Sequence, residues 1–130
     1  MQKKRKFAVQ QHYASHLHYD FRLERNGVLE SWAIPKEPPV EIGVKRLAVR
    51  VEDHELGYED FEGTIPKGQY GEGKVVIWDR GLYVEKKYGP KEIIVALEGG
   101  RLKGDYCLIK LKPSLPKDKN WLFFKRKCPE

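Results

Sequence analysis

A chain of 130 residues, 40% hydrophobic and 34% charged, is long enough for one domain to close an apolar core without metal or disulfide staples, and its composition argues against disorder. No run approaches the ~20 apolar residues needed to cross a bilayer, and the start Met1-Gln-Lys-Lys-Arg-Lys6 lacks the apolar segment of a secretion signal, so the expectation is a cytoplasmic protein with no membrane partner. The formal charge of +6, with basic runs at both ends in Lys3–Lys6 and Lys125–Lys127, suggests nucleic acid as partner through counterion release, although a solvated basic face would have the same composition.

Helical periodicity is scarce, and short β-branched or aromatic runs recur between Gly, Pro and Asp signals, which predicts an all-β fold. A basic tail over residues 1–6 leads into candidate strands Phe7–Gln11, Leu17–Arg25 and Leu29–Ala33. The last two are joined by Asn26-Gly27, a pair that tolerates positive φ and predicts a hairpin. Arg46–Glu52 is the next strand. The glycine-rich stretch Pro66–Gly73 lacks the Gly-Lys-Ser/Thr ending of a nucleotide loop and no helix follows it, so it reads as a hairpin or bulge. Lys74–Asp79, Gly81–Val84, Glu92–Leu97, Gly104–Leu111 and Trp121–Arg126 follow, with Gly99-Gly100 expected to turn as Asn26-Gly27 does and Pro113–Lys119 crossing the surface. Nine short candidates, some able to merge, predict a single domain over 1–130 built as a compact, closed or nearly closed antiparallel β-barrel, in which closure hides the sheet edges. Trp32, Trp78 and Trp121 sit in apolar runs and are expected in the core rather than as base-stacking platforms. Cys107 and Cys128 show no Cys-x-x-Cys spacing and read as reduced structural thiols.

The chemistry concentrates in Leu17–Glu24. Leu17, Tyr19, Phe21 and Leu23 alternate as an apolar face, which leaves His18, Asp20, Arg22 and Glu24 on the other. Neighbours on one face of a strand stand roughly 6.5 to 7 Å apart, so His18 and Asp20 can reach one metal ion. His12 and His16 are both near enough to supply a third ligand. Two neutral imidazoles and one carboxylate leave coordination positions open, a set that suits a catalytic Mn, Fe or Zn ion, and Arg22 beside it suits a phosphate. Polar residues on an exposed strand can be no more than mutual ion pairs; three of the four histidines within seven residues weigh toward a site. In Arg46–His54, Leu47, Val49 and Val51 alternate with Arg46, Arg50, Glu52 and His54, which predicts a second polar face. Imidazole ordinarily titrates near neutral pH, so His54 could act as an acid toward a leaving oxygen, while Tyr58 and Lys36 could add donors.

Four segments in this order, Gln10–Glu24, Gly27–Lys36, Val51–Tyr58 and Asp60–Gly73, together with Trp121-Leu-Phe-Phe-Lys-Arg-Lys127, resemble the 3′-phosphoesterase module of bacterial DNA ligase D and its stand-alone relatives. The resemblance covers most of the chain from Phe7 onward. It implies a compact β-barrel with the active site on its outer surface and bound Mn²⁺, with Co²⁺ or Zn²⁺ as alternatives at the same site. It implies an enzyme of DNA repair by non-homologous end joining that works on a primer–template duplex. Such an enzyme removes a 3′-terminal ribonucleotide and then the 3′-phosphate from the primer strand, leaving a hydroxyl that can be extended or ligated. By position the resemblance puts the metal ligands on His12, His18 and Asp20, choosing His12 over His16, and the remaining active-site residues on Arg22, Lys36, Arg46, His54 and Tyr58. The roles it suggests are charge compensation by Arg22, Lys36 and Arg46, protonation of the leaving oxygen by His54, orientation of the phosphate by Tyr58, and a ribose 2′-hydroxyl as internal nucleophile.

Eleven residues precede His12, where ligase-linked modules carry a longer segment that helps to handle the nucleoside. Phosphate removal is therefore the first expectation and ribonucleotide removal the second. The chain holds no polymerase or ligase domain, so it is expected to act as a monomer alongside separate ligase or polymerase proteins. Two other readings fit parts of the pattern. His18-x-Asp20 with His54 has the outline of an iron-dependent oxygenase, against which stand the short spacing to His54 and the surrounding cations. A non-catalytic nucleic-acid-binding barrel explains charge and fold but not the gathering of histidines.

Overall fold

The computed structural model describes residues 3–113 and 118–127; Cys128 and residues 114–117 of the Pro113–Lys119 connection lie outside the described residues. Its strands are β1 (Lys4–Tyr13), β2 (Leu17–Arg25), β3 (Val28–Ile34), β4 (Lys45–Glu55), β5 (Gly63–Ile65), β6 (Gly73–Tyr88), β7 (Glu92–Gly99), β8 (Lys103–Lys110) and β9 (Asn120–Lys125), with one 3₁₀ turn, η1 (Tyr58–Asp60), between β4 and β5. Neighbours run β1-β2-β3-β4-β9-β8-β7-β6, and β6 returns to pair with β1, so eight antiparallel strands close into a barrel. β5 is added to β6 at Gly73–Val75, on the edge that β7 takes up from Gly81 onward.

The interior is filled by the alternate residues that period-2 patterning selects: Phe7 and Val9 from β1, Tyr19, Phe21 and Leu23 from β2, Trp32 and Ile34 from β3, Trp121 and Phe123 from β9. Phe21 sits at the centre, its ring 4.7 Å from Phe123 and 6.2 Å from both Phe7 and Trp32. Burial of each such side chain contributes on the order of 1.5–3 kcal/mol. Trp32, Trp78 and Trp121 all belong to this core, as their sequence surroundings predict.

Several features differ from the sequence expectations. β1 starts at Lys4, so Lys4, Arg5 and Lys6 are wall residues paired with Leu82–Val84 of β6 rather than a tail. The candidates Lys74–Asp79 and Gly81–Val84 are one strand, while β5 and η1 carry too little patterning to be read. Asn26 and Gly27 have φ of 54° and 81°, the type I′ turn expected of that pair. Gly99-Gly100 also turns a hairpin, but neither glycine has positive φ. That turn is built by Asp79, whose carboxylate accepts from the amides of Gly100 (2.8 Å), Arg101 (3.0 Å) and Leu102 (2.8 Å). Gly99 is required for room: a Cβ there would meet the Asp79 carboxylate and lie 2.6 Å from the edge of the Phe7 ring.

Candidate active site

β1 and β2 pair with His12 opposite His18, Gln10 opposite Asp20 and Ala8 opposite Arg22, which gathers His12, Gln10, His18, Asp20 and Arg22 on the outer face of the wall. Solvent does not cover that face. η1 lies over Gln10, and the glycine-rich stretch, here the turns between β5 and β6, folds back over β1. Gly73 makes the second approach possible: its φ is 122°, and a Cβ would collide with the Tyr13 carbonyl. His12, Asp20 and Arg22 are consequently buried, at 7%, 8% and 3% exposure.

The ring nitrogens and carboxylate oxygens of His12, His18 and Asp20 lie within 4.8 Å of one another. His12 Nδ1 is 3.8 Å from Asp20 Oδ2, and His18 Nε2 is 3.4 Å from Oδ1. The opposite nitrogen of each ring meets a carbonyl: His12 Nε2 the Gly71 oxygen at 2.8 Å, and His18 Nδ1 the His16 oxygen at 3.1 Å. A carbonyl only accepts, so these nitrogens carry protons and donate, and the nitrogens that face Asp20 are the ones free to take a metal once deprotonated. Metal-binding imidazoles are oriented in this way. His16 itself stands on the exposed bend between β1 and β2 and gives only its carbonyl to this arrangement. With no ion present, the hydrogen bond to Asp20 holds the His18 imidazole above its ordinary pKa. Burial pushes the Asp20 carboxyl up, but the bond from His18 and the charge of Arg22 more than offset this and hold it below the ordinary range.

Arg22 is fixed on three sides. Its Nε donates to Gln10 Oε1 at 2.5 Å, Nη1 to Ser31 Oγ at 2.8 Å and Nη2 to Asp20 Oδ2 at 3.3 Å. Burial lowers its guanidinium below the usual value, with Asp20 acting in the other direction. Gln10 extends the network, donating from Nε2 to the Tyr58 carbonyl at 2.8 Å and the Phe61 carbonyl at 3.0 Å. The Tyr58 ring thereby sits 4.9 Å from the Arg22 guanidinium, stacked between His54 at 4.6 Å and Phe61 at 5.2 Å. Burial, and next Arg22, lower the His54 imidazole below its ordinary pKa; burial raises the Tyr58 phenol. Together His12, His18, Asp20, Arg22, His54 and Tyr58 line one cleft of about 330 Å³.

The second polar face expected on β4 does not form. Ser31 pairs with Val51 but Leu29 with His54, so β4 has one residue more than β3 between these pairs, and this bulge reverses the alternation. Val51 and His54 therefore both reach the cleft. Arg50 lies on the interior side, 4.7 Å over the Trp32 ring opposite which it pairs, and bridges Asp53 at 2.9 Å. Lys36 and Arg46 do not line the cleft; with Lys45 and Leu47 they line a separate depression of about 240 Å³, where Arg46 Nε donates to the Glu37 carbonyl at 2.8 Å. Gln10 and Ser31, which hold Arg22, were given no role by sequence pattern. Gln10 shares the face of His12 two residues away, and that spacing was the signal available.

Two imidazoles with a nitrogen each facing Asp20, one carboxylate and a cation held beside them form a donor set that fits a divalent transition metal with open positions for a phosphate oxygen. A family model described as the DNA Ligase D 3′-phosphoesterase domain matches residues 10–110. The multifunctional non-homologous end joining protein LigD of Mycobacterium bovis is 53% identical over 108 residues, 80% of this chain and 14% of that protein. The protein of the same name from Pseudomonas aeruginosa is 48% identical over 131 residues, 96% of this chain and 15% of that protein. The chain spans about one-seventh of the length of these relatives. With a family match over most of its length and His12, His18 and Asp20 all inside it, the chain belongs to the DNA ligase D 3′-phosphoesterase domain family.

Proposed function

We propose that this protein is a metal-dependent 3′-end-processing phosphoesterase of DNA repair, which removes a 3′-phosphate, and in a second activity a 3′-terminal ribonucleotide, from a primer strand to leave a 3′-hydroxyl. The observation that carries the reading is the convergence of His12, His18 and Asp20 within 4.8 Å, with Arg22 fixed beside them and His54 and Tyr58 in the same cleft. His12, His18 and Asp20 would hold Mn²⁺, or Co²⁺ or Zn²⁺ in its place, which when bound supplies Lewis-acid charge for the phosphate oxygens.

The chain's own residues account for the rest. Arg22 keeps its fork oriented by bonds to Gln10, Ser31 and Asp20, so it compensates charge building on the phosphoryl oxygens without having to reorganise. His54 is held in plane by its stack on Tyr58 and would give a proton to the leaving oxygen. The Tyr58 hydroxyl would orient the phosphate. Lys36 and Arg46, together on a depression separate from the cleft, would meet another phosphate of the strand and set its register. The partners in this reading are a primer–template duplex and separate ligase or polymerase proteins.

The test is incubation with Mn²⁺ and a duplex whose primer ends in 3′-phosphate, alongside one ending in a ribonucleotide. A 3′-hydroxyl product is expected from the first; no product, with metal bound and the fold intact, would sink the reading. His12→Ala and Asp20→Ala should abolish turnover, while His16→Ala keeps most of it. Loss only in the His16 variant would overturn the ligand assignment.

A further inference from the structure

The cleft is unlike at its two ends. In strand order across the barrel, β6 and its partner β5 stand on one side of β1, and β3 and β4 on the far side of β2. On the β2–β4 side the lining is charged and polar, with Arg22 and His54 suited to phosphate and Glu52 and Asp53 beside His54; on the β5–β6 side, beyond His12, it is Ala14, Ile65 and Tyr70. Tyr70 is 92% exposed, far more than any other large apolar side chain among the described residues. An aromatic ring left in water at the rim of a cleft is a cost in apolar surface with no packing return.

Tyr70 is also held in place. Its turn is fixed by the Gln69 amide on the Pro66 carbonyl at 3.2 Å, the Glu72 amide on the Gln69 carbonyl at 3.1 Å, and the Gly68 amide on the Glu72 carboxylate at 2.5 Å. Its neighbour Gly71 gives its carbonyl to His12. The backbone that carries the ring is thus tied through one residue to His12, so the loop needs little ordering when a ligand arrives.

We propose that Tyr70 is a stacking platform for the base of the nucleotide whose 3′-phosphate is removed. This rests on the phosphoesterase reading. The ligand chemistry follows from the cleft: an anion at Arg22 joined within one nucleotide to a flat apolar group on the other side of His12. Stacking on an aromatic face is indifferent to base identity, as end processing requires.

The test compares wild type, Tyr70→Ala and Tyr70→Trp for binding to labelled duplexes with a 3′-phosphate on either an adenosine or an abasic terminal residue. Binding is followed by anisotropy in EDTA, and kcat/KM is measured separately with Mn²⁺. Tyr70→Ala should bind the adenosine end about 10-fold more weakly, the scale of one base–aromatic stack, and Tyr70→Trp should restore it. The abasic end should weaken wild type by the same factor and make the Ala variant no worse. Equal loss by the Ala variant on both ends, or binding equal to wild type on the adenosine end, overturns the stacking role while turnover of 3′-phosphate by wild type persists. If wild type with Mn²⁺ turns over neither end, the underlying reading fails instead.

Discussion

Gln10 offers the sharpest test of how the cleft is held together. It is fully buried, and its amide makes three bonds at once: it accepts from the Arg22 guanidinium and donates to the carbonyls of Tyr58 and Phe61. Replacing it with alanine leaves the Phe61 carbonyl and the Arg22 Nε–H without these partners and the Tyr58 carbonyl with only the Phe61 amide. At about 1 kcal/mol for each neutral bond and about 2 for the charged one, Gln10→Ala should destabilise the barrel by about 4 kcal/mol. That is a large part of the 5–15 kcal/mol typical of a domain, and moves a urea midpoint by roughly 2–3 M at a slope of about 1.5 kcal/mol per M. Gln11→Ala is the control: its neighbouring amide makes a single partly buried bond to the Tyr19 hydroxyl at 3.2 Å and should cost less than about 1 kcal/mol. Where Gln10→Ala remains folded, turnover should fall as well, because Arg22 and Tyr58 lose their common anchor. Midpoints for the two variants within error of each other would refute the claim that Gln10 joins η1 to the cleft.

Three further outcomes follow from the same geometry. The bond to Asp20 raises the metal-free His18 pKa, so a binding metal must displace that proton; apparent Mn²⁺ affinity, measured calorimetrically, should rise with pH through the raised value and level off above it, and a flat profile would exclude His18 as a ligand. His54 titrates below its ordinary value in the free protein because of burial and then Arg22, so a bound phosphate dianion should move it upward; an imidazole NMR titration in which inorganic phosphate leaves it unmoved would remove His54 from the phosphate's surroundings. Gly99→Ala should destabilise by about 1–3 kcal/mol through collision with Phe7 and Asp79, although both glycines of that turn have ordinary φ, and an unchanged melting temperature would show that the Asp79 turn can shift to make room.

Local pattern carried the sequence reading as far as local pattern reaches. On β2 each core residue is one step from a site residue, so the alternation of Tyr19, Phe21 and Leu23 with His18, Asp20 and Arg22 identifies both faces at once. The turn at Asn26-Gly27 is legible for the same reason, since the residues that need positive φ are themselves in the turn. The hairpin at Gly99-Gly100 is legible as a turn but not in its cause, because the group that builds it is Asp79, some twenty residues earlier on another strand. Alternation also fails on β4, where polar residues at even positions suggest one face. Arg50 finds a partner in Trp32, with which only strand pairing can bring it together, and an extra residue before His54 reverses the phase.

The bulge on β4 ties these strands of argument together, because it decides what the cleft can do. Had β4 continued in strict alternation from Val51, Asp53 would stand opposite Leu29 on the outer wall and His54 would share the side of Arg50. The additional residue between Val51 and His54 brings the imidazole to the outer face, where Tyr58 stacks on it and Arg22 lowers its pKa. Deleting Asp53 should make the pairing regular with Val51, Glu52 and His54 opposite Ser31, Glu30 and Leu29, so His54 keeps the outer face, and His12, His18 and Asp20, on β1 and β2, keep their places. The deletion variant is expected to turn over 3′-phosphate ends within about 10-fold of wild type, whereas His54→Ala should bind Mn²⁺ as wild type does but turn over more than about 100-fold more slowly, the range of one lost acid–base group. Turnover by His54→Ala near the wild-type rate would show that the proton comes from elsewhere.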